Sequence, residues 1–339
     1  MLFAAAMFSL GAIGIANGAE VTDLPTNLRG DAGVRYDHSA LSGSLVEGES
    51  TVGNRSADSD KVTYSAVFSP ISGAAVFVEV PSVIGRSLSY SESNQMLFDP
   101  VANRGTMVGT SLVDDPPSFE GSGLEGIWTG VRASPFNERY TSRGNRVTWL
   151  IELAMRTAGD SFYVADEEAR GGGTGGSALR ARMAFSARRG SVEPYLRFGA
   201  QQEKAFTVGE DDTSYDPADS VSVDAGLELV SYENEAAGSQ LALDFGASTV
   251  YRSWQTLPSG VLLPSVMSSS EDIAVTESEY AQLAFRFGVY YRVFENLQIN
   301  LRSEVGYVMS HVLEHPYAVR SGYDNLYYSA GAEMRIRIR

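Results

Sequence analysis

Leu179-Arg180-Ala181-Arg182-Met183-Ala184-Phe185-Ser186-Ala187-Arg188 decides how the rest of the chain is read. Leu179, Ala181, Met183, Phe185 and Ala187 alternate with Arg180, Arg182, Ser186 and Arg188, the period of a β-strand whose successive side chains point to opposite faces. Three arginines on one face cannot be the core of a soluble sheet, because a buried guanidinium without a partner is too costly. The apolar face therefore meets something apolar, and the arginine face meets water or carboxylates.

The same division recurs on both sides of this segment. Upstream, Val147, Trp149, Ile151, Leu153 and Met155 stand against Thr148, Glu152 and Arg156. Downstream, Val192, Leu196, Phe198 and Ala200 oppose Glu193, Arg197 and Gln201, and Val221, Val223, Ala225, Leu227 and Leu229 oppose Ser222, Asp224 and Glu228. Leu241, Leu243, Phe245, Ala247 and Tyr251 alternate with Asp244, Ser248 and Arg252, then Leu283, Phe285, Phe287, Val289 and Tyr291 with Gln282, Arg286 and Arg292. The last two runs set Leu297, Ile299, Leu301, Val305 and Tyr307 against Gln298, Asn300, Arg302 and Glu304, and Tyr328, Ala330, Ala332, Met334, Ile336 and Ile338 against Glu333, Arg335 and Arg337. These are eight strands. The N-terminal third is less regular and supplies four more: Ala32, Val34 and Tyr36; Val62, Tyr64, Ala66 and Phe68; the run 76–80; and the run 124–133, in which Trp128 and Val131 have opposite parity.

Connections alternate in length. The links 70–73, 189–191, 234–239 and 294–296 are short, and 134–145 is slightly longer. The links 41–60, 81–123, 159–176, 203–219, 255–276 and 311–324 are long and rich in Gly, Ser, Asp and Glu. Tight turns at one rim and long loops at the other are a property of membrane β-barrels. A sheet can cross a bilayer only when it closes on itself, since every backbone polar group needs an internal partner. The expected fold is all-β: a transmembrane antiparallel up-and-down barrel of about twelve strands, with ten and fourteen as bounds. The competing architecture, a secreted sandwich or solenoid, uses strands of about 5–6 residues. An even count with both ends on the short-turn side places both termini in the periplasm.

Composition narrows the classes further. Of 339 residues, 42 are acidic and 26 basic, a net charge of −16, which rules out a nucleic-acid binder driven by global charge. There is no cysteine, so thiolate metal sites, disulfides and a cysteine nucleophile are impossible. Residues 1–16 are apolar or small except Ser9, and Ala16-Asn17-Gly18 offers a small-x-small cleavage step. Residues 1–18 are expected to be a signal peptide, and residues 19–339 a single barrel domain with long extracellular loops.

The C-terminal strand then carries a resemblance. Ser329-Ala330-Gly331-Ala332-Glu333-Met334-Arg335-Ile336 matches the pattern polar, x, Gly, x, x, large apolar, x, large apolar, and resembles the assembly signal of Gram-negative outer-membrane β-barrel proteins. It departs from that pattern beyond the match, because the chain ends Ile338-Arg339 where such proteins usually end in an aromatic residue. The resemblance implies an outer-membrane location, with lipid and lipopolysaccharide around the barrel. It also implies recognition by the barrel-assembly machinery through Ser329, Gly331, Met334 and Ile336. It selects no subfamily.

Three constellations bear on chemistry. His311-Val312-Leu313-Glu314-His315 resembles the H-x-x-E-H string of inverzincin metalloproteases, where two histidines four apart on a helix bind zinc. Pro316 follows at once and the segment lies between two strands, so no metal and no cofactor are expected. His38 beside Ser39 is the other hydrolase candidate, because a serine hydroxyl needs a neighbouring base. The most informative set is the charged inward face: Arg180, Arg182, Arg188, Arg197, Arg286, Arg292, Arg302, Arg335 and Arg337 with Glu152, Glu193, Asp224, Glu228, Asp244, Glu304 and Glu333. These form either a pore wall whose fixed charges select solutes or a closed network of ion pairs that fills the lumen. The expected function is a passive, porin-like channel for ions or small polar solutes, without catalysis. The alternatives are a non-conducting structural or partner-binding barrel, with segment 81–123 long enough to fold inward as a plug, and a rim hydrolase using His38 or His311 and His315.

Overall fold

The structure is a computed structural model that describes residues 28–47, 50–92, 118–137, 147–160, 165–166, 169–170, 173, 175–208, 213–234, 236–258, 274–315 and 318–338. The expected signal peptide, residues 1–18, lies outside them. Twelve long strands close into one antiparallel barrel. They are β1 (Arg29–Glu47), β2 (Ser50–Ile71), β3 (Ala74–Glu92), β4 (Trp128–Phe136), β5 (Val147–Arg156), β6 (Ala178–Ala187), β7 (Val192–Glu203), β8 (Ser220–Asn234), β9 (Ser239–Arg252), β10 (Tyr280–Phe294), β11 (Leu297–Val308) and β12 (Ala318–Ile338). Each pairs with its neighbours in sequence, and β12 pairs with β1 in a register that runs from Gly30↔Ile338 to Val46↔Ser321. No transmembrane edge is left unpaired.

The alternation read from the sequence is the alternation of burial. Along β10, Tyr280, Gln282, Ala284, Arg286, Gly288 and Tyr290 are buried, while Leu283, Phe285, Phe287 and Tyr291 are exposed. Phe245, Leu301, Val305, Val223, Leu153, Met334 and Ile336 are exposed on the same outer surface. An apolar exterior around a polar interior inverts a soluble protein, and it is stable where the exterior meets hydrocarbon. Near the short-turn rim Trp149 stacks between Phe136 and Phe185, at centroid distances of 6.1 and 5.8 Å, in the position of an interfacial aromatic girdle.

Three expectations are corrected. The links 41–60, 81–123 and 311–324 are not loops throughout. β1, β2, β3 and β12 run for 19, 22, 19 and 21 residues, whereas the other eight strands have 9 to 15, so this third of the wall continues beyond the bilayer as sheet. Its outward side chains become polar there, as in Ser42, Asn54 and Asp58, which is why the apolar pattern stopped while the strand did not. Of the segment 81–123 expected to be able to plug the lumen, residues 81–92 are strand and 93–117 lie outside the described residues.

The fourth strand is broken. Ser118–Leu124 pairs with the outer part of β3, and Trp128–Phe136 with its inner part. Between them Gly126 has φ +102°, a conformation that favours glycine, and a β-carbon there would lie 2.2 Å from the carbonyl oxygen of Thr157. Trp128 faces inward and Val131 outward, as regular alternation gives, whereas Leu124 and Trp128, four residues apart, take opposite faces because of this break. Finally, His311–His315 is a strand that extends β11, pairing with 318–322 of β12, so the H-x-x-E-H histidines stand on no helix.

Candidate functional site

All sixteen residues of the expected charged face lie on inward positions or at the lumen mouth, and they assemble into ion-pair clusters along the wall. The first grows from the cross-strand row Arg132, Glu152, Arg182 on β4, β5 and β6. Glu152 accepts from Arg132 Nε at 2.7 Å and Arg180 Nε at 2.9 Å, and Arg182 lies 3.6 Å away. Glu79 of β3 accepts from the Nη2 atoms of the same two arginines, Arg132 at 3.2 Å and Arg180 at 3.3 Å. Their guanidiniums sit 4.3 Å above the rings of Phe77 and Trp128 respectively. Two carboxylates shared among three arginines, with aromatic faces below, offset the desolvation of each charge.

A second cluster uses the row Tyr195, Gly226, Gly246, Arg286 across β7 to β10. Tyr195 donates to Asp244 at 2.7 Å, and Arg286 donates to Asp244 at 3.0 Å, to Asp224 at 2.8 Å and to the Tyr195 hydroxyl. Arg197 reaches Asp224 through Nη1 at 3.4 Å. Glu304, on the residue of β11 that pairs with Arg286, is buried beside it. Glu193 and Glu228 pair across β7 and β8 and are also buried.

The third cluster closes the barrel. Arg302 of β11 crosses β12 to donate to Asp37 of β1, which also accepts from Arg35 at 2.8 Å. Arg335 and Asn300 both donate to Glu333 at 2.9 Å. Arg337 holds Asp31 with both Nε and Nη2, at 3.0 and 3.3 Å. Arg292 donates to the Tyr290 hydroxyl at 2.9 Å. Arg188 stands apart from the others. It lies past the end of β6 and pairs with Glu233 at 2.6 Å on the short-turn rim, so it belongs to the mouth and not to the wall.

Accessibility is uneven along the lumen, where mid-wall Arg180, Arg286 and Asp244 are only 1 to 3 % exposed. At the short-turn mouth a cavity of about 360 Å³ is lined by Arg29, Glu233, Gln240, Arg292 and Arg337 among others. Further in, Arg132, Arg182 and Arg302 keep 17 to 18 % exposure. At the long-loop end the polar contacts are buried: the ion pairs of Lys61 with Glu125 at 3.5 Å and Arg156 with Glu203 at 2.6 Å, and the imidazole of His311 2.9 Å from Glu277. The first two span an intervening strand, so they act as chords across the curved wall. Glu79, Arg132, Lys61, Glu125 and Asp37 were missed in the sequence because the N-terminal third lacks a clean alternation. Arg156 and Arg252 carried the correct parity and were left out of the charged set.

The hydrolase candidates separate. His38 faces outward, 3.1 Å from Asp60, whose carboxylate also accepts from Tyr36, while Ser39 next to it takes the opposite face. Adjacent residues of a strand cannot form a nucleophile and base pair. His311 is buried against Glu277; the side chains of Glu314 and His315 lie outside the described residues. Among the described residues no three His, Asp or Glu side chains are grouped to hold a metal ion. Of the assembly-signal residues, Met334 and Ile336 face outward, and Ser329 and Gly331 face inward, with Gly331 beneath the Asp37–Arg302 pair.

No family model matches the chain, and no curated protein is similar to it in sequence. Among solved structures it is similar to an outer-membrane channel from Pseudomonas putida F1, at TM-score 0.54 and 13% identity over 94% of this chain and 98% of that one. It is also similar to a mutant of the monoaromatic hydrocarbon channel TodX (TM-score 0.43, 10% identity, 96% and 94% covered) and to a FadL homologue from Pseudomonas aeruginosa (0.42, 9%, 96% and 93%). At such identities the likeness is one of fold. The chain has the fold of a Gram-negative outer-membrane β-barrel.

Proposed function

We propose that this barrel is a passive, porin-like channel for ions or small polar solutes. The observation that carries the reading is the charged wall: fixed arginines and carboxylates line the lumen from the wide short-turn mouth to the buried pairs at the other end. Fixed charge of both signs at close quarters replaces part of an ion's hydration and offers apolar solutes nothing. No catalytic step is part of this reading, since His38 and Ser39 stand on opposite faces of the wall. The short turns and both termini face the periplasm, and residues 1–18 serve as the export signal. Lipopolysaccharide surrounds the outer rim, and the assembly machinery reads Ser329, Gly331, Met334 and Ile336.

The test is single-channel recording of the refolded protein in a planar bilayer, with reversal potentials under a salt gradient. Unitary steps with a defined selectivity are expected. A folded protein that carries no current overturns the channel and leaves the second reading, a non-conducting structural or partner-binding barrel. That reading draws support from the buried chords Lys61–Glu125 and Arg156–Glu203, which narrow the outer end.

A further inference from the structure

Most lumen guanidiniums are neutralised by carboxylates at hydrogen-bond distance, and Arg252 is an exception. It is 3% exposed and points inward from the outer end of β9, in the cross-strand row Gln201, Ser220, Arg252, Tyr280. Its Nε and Nη2 have no hydrogen-bond partner. An acidic group that acts on it, Glu203, has both oxygens engaged, Oε2 by Arg156 at 2.6 Å and Oε1 by Gln201 at 2.6 Å. Two further buried side chains of this region carry unpartnered polar atoms: Gln282 Nε2 and Oε1 on the next strand, and Gln201 Oε1 in the same row, two strands away.

The two nitrogens left open decide what fits. Nε–H and the adjacent Nη2–H form one edge of the planar guanidinium, a fork of two parallel donors that matches the two oxygens of a carboxylate. This chain uses that same edge elsewhere, where Arg337 grips Asp31 through Nε and Nη2. Arg197 presents a second open fork. Its Nη1 is on Asp224, its ring partner is Tyr195 at 4.5 Å, and its Nε and Nη2 are unpartnered. Arg197 lies four residues before Gln201 on the same face of β7, so the two forks are staggered along the lumen axis.

We propose that Arg252, with Gln282 and Gln201, is a binding station for a carboxylate, that Arg197 is a second station nearer the short-turn mouth, and that the solutes of this lumen are small organic acids. The proposal rests on the channel reading and narrows it from polar solutes to one class. A carboxylate satisfies both donors of a fork at once, whereas chloride offers one sphere and a neutral amide one acceptor oxygen. Gln282 then donates to, or accepts from, a hydroxyl or the second acid group.

The experiment is calorimetric titration of the refolded full-length chain in detergent with succinate, with its uncharged diamide, and with inorganic phosphate. Succinate binding is expected, with the diamide at least tenfold weaker. R252Q is expected to weaken succinate at least tenfold, and R252K, which keeps the charge and loses the fork, to weaken it as well. Equal affinity for succinate and its diamide overturns the proposal, as does unchanged affinity in R252Q and R252K. Tighter binding of phosphate than of succinate overturns the carboxylate assignment. Should the variants fail to fold, the comparison of succinate with its diamide on the unmodified chain still decides. Parallel bilayer recordings separate the two readings. A protein that conducts but binds no succinate keeps the channel and loses the station, whereas one that binds succinate through Arg252 and carries no current keeps the station and loses the channel.

Discussion

The hydroxyl oxygen of Tyr195 occupies the space that a β-carbon on Gly226 would need: the two positions are 2.1 Å apart. Tyr195 and Gly226 face each other directly on β7 and β8, and the next residue in the row, Gly246, leaves 2.8 Å for its own β-carbon. Two inward glycines on neighbouring strands thus let a tyrosine reach across the wall to Asp244 and Arg286. The clearance exists because the lumen side of the sheet is locally bare of side chains.

Gly226→Ala should therefore displace Tyr195 and loosen the Arg286 cluster. Overpacking of this kind costs about 1–3 kcal/mol. A lower denaturant midpoint for the folded barrel in detergent, read by tryptophan fluorescence or heat-modifiable mobility, is expected. An unchanged midpoint means the ring finds another position at no cost.

Arg286→Met should be worse than its size suggests. Arg286 is the shared donor to Asp224, Asp244 and Tyr195, and its removal takes the common cation away from two buried carboxylates. Breaking a buried pair costs about 3–5 kcal/mol. Restoring neutrality with Asp244→Asn in the same chain, which leaves Arg197 paired with Asp224, should recover much of the loss, which a denaturant series on the single and double variants measures.

Phe285 lies at the centre of the exposed outer face of β10. Phe285→Arg places a charge where the barrel meets hydrocarbon and should cost roughly 2–4 kcal/mol near the bilayer midplane. Refolding yield into lipid vesicles should drop. A yield equal to that of the native chain would contradict the assignment of this face to lipid.

The chords at the outer end set the width there. Glu203→Ala with Arg156→Ala removes both charges of one buried pair spanning β5 to β7, leaving only the neutral Gln201 amide without its acceptor. Unitary conductance should rise, and the barrel should remain folded by circular dichroism. Conductance equal to the native value would put the narrowest point elsewhere.

Neutralising arginines that keep contact with the solution should move selectivity. Arg182→Gln with Arg302→Gln removes two positive charges from the accessible part of the wall, where fixed charge acts on permeating ions. The reversal potential in a salt gradient should shift toward cation preference.

Much of this barrel was legible before its structure. In β6 and β10 every second residue is apolar because lipid lies on one side, and the charges Arg180, Arg182 and Arg286 all fall on the other parity because the lumen lies there. A strand has period two wherever it sits, so the strand count and the face of Arg180, Arg286 and Glu152 follow from local order. The sequence was misleading where the outside is water. Beyond Leu41 on β1 and Pro81 on β3 small and polar residues such as Ser42, Ser82 and Ser87 interrupt the apolar alternation, and without steady contrast a strand looks like a loop.

What the chain determined alone is therefore its two-sidedness: an apolar coat, a charged lining, alternating short and long connections, and a C-terminal strand with the features of an assembly signal. Which charges meet was decided by closure. Arg302 reaches Asp37 across 265 residues of sequence because β12 seals against β1, and the bond exists only in that register. The same holds for Arg252, whose inward face is written in the alternation of β9 while its open fork is not. Whether a guanidinium finds a carboxylate depends on strand tilt, stagger and curvature, which are properties of the whole closed sheet and of no single strand.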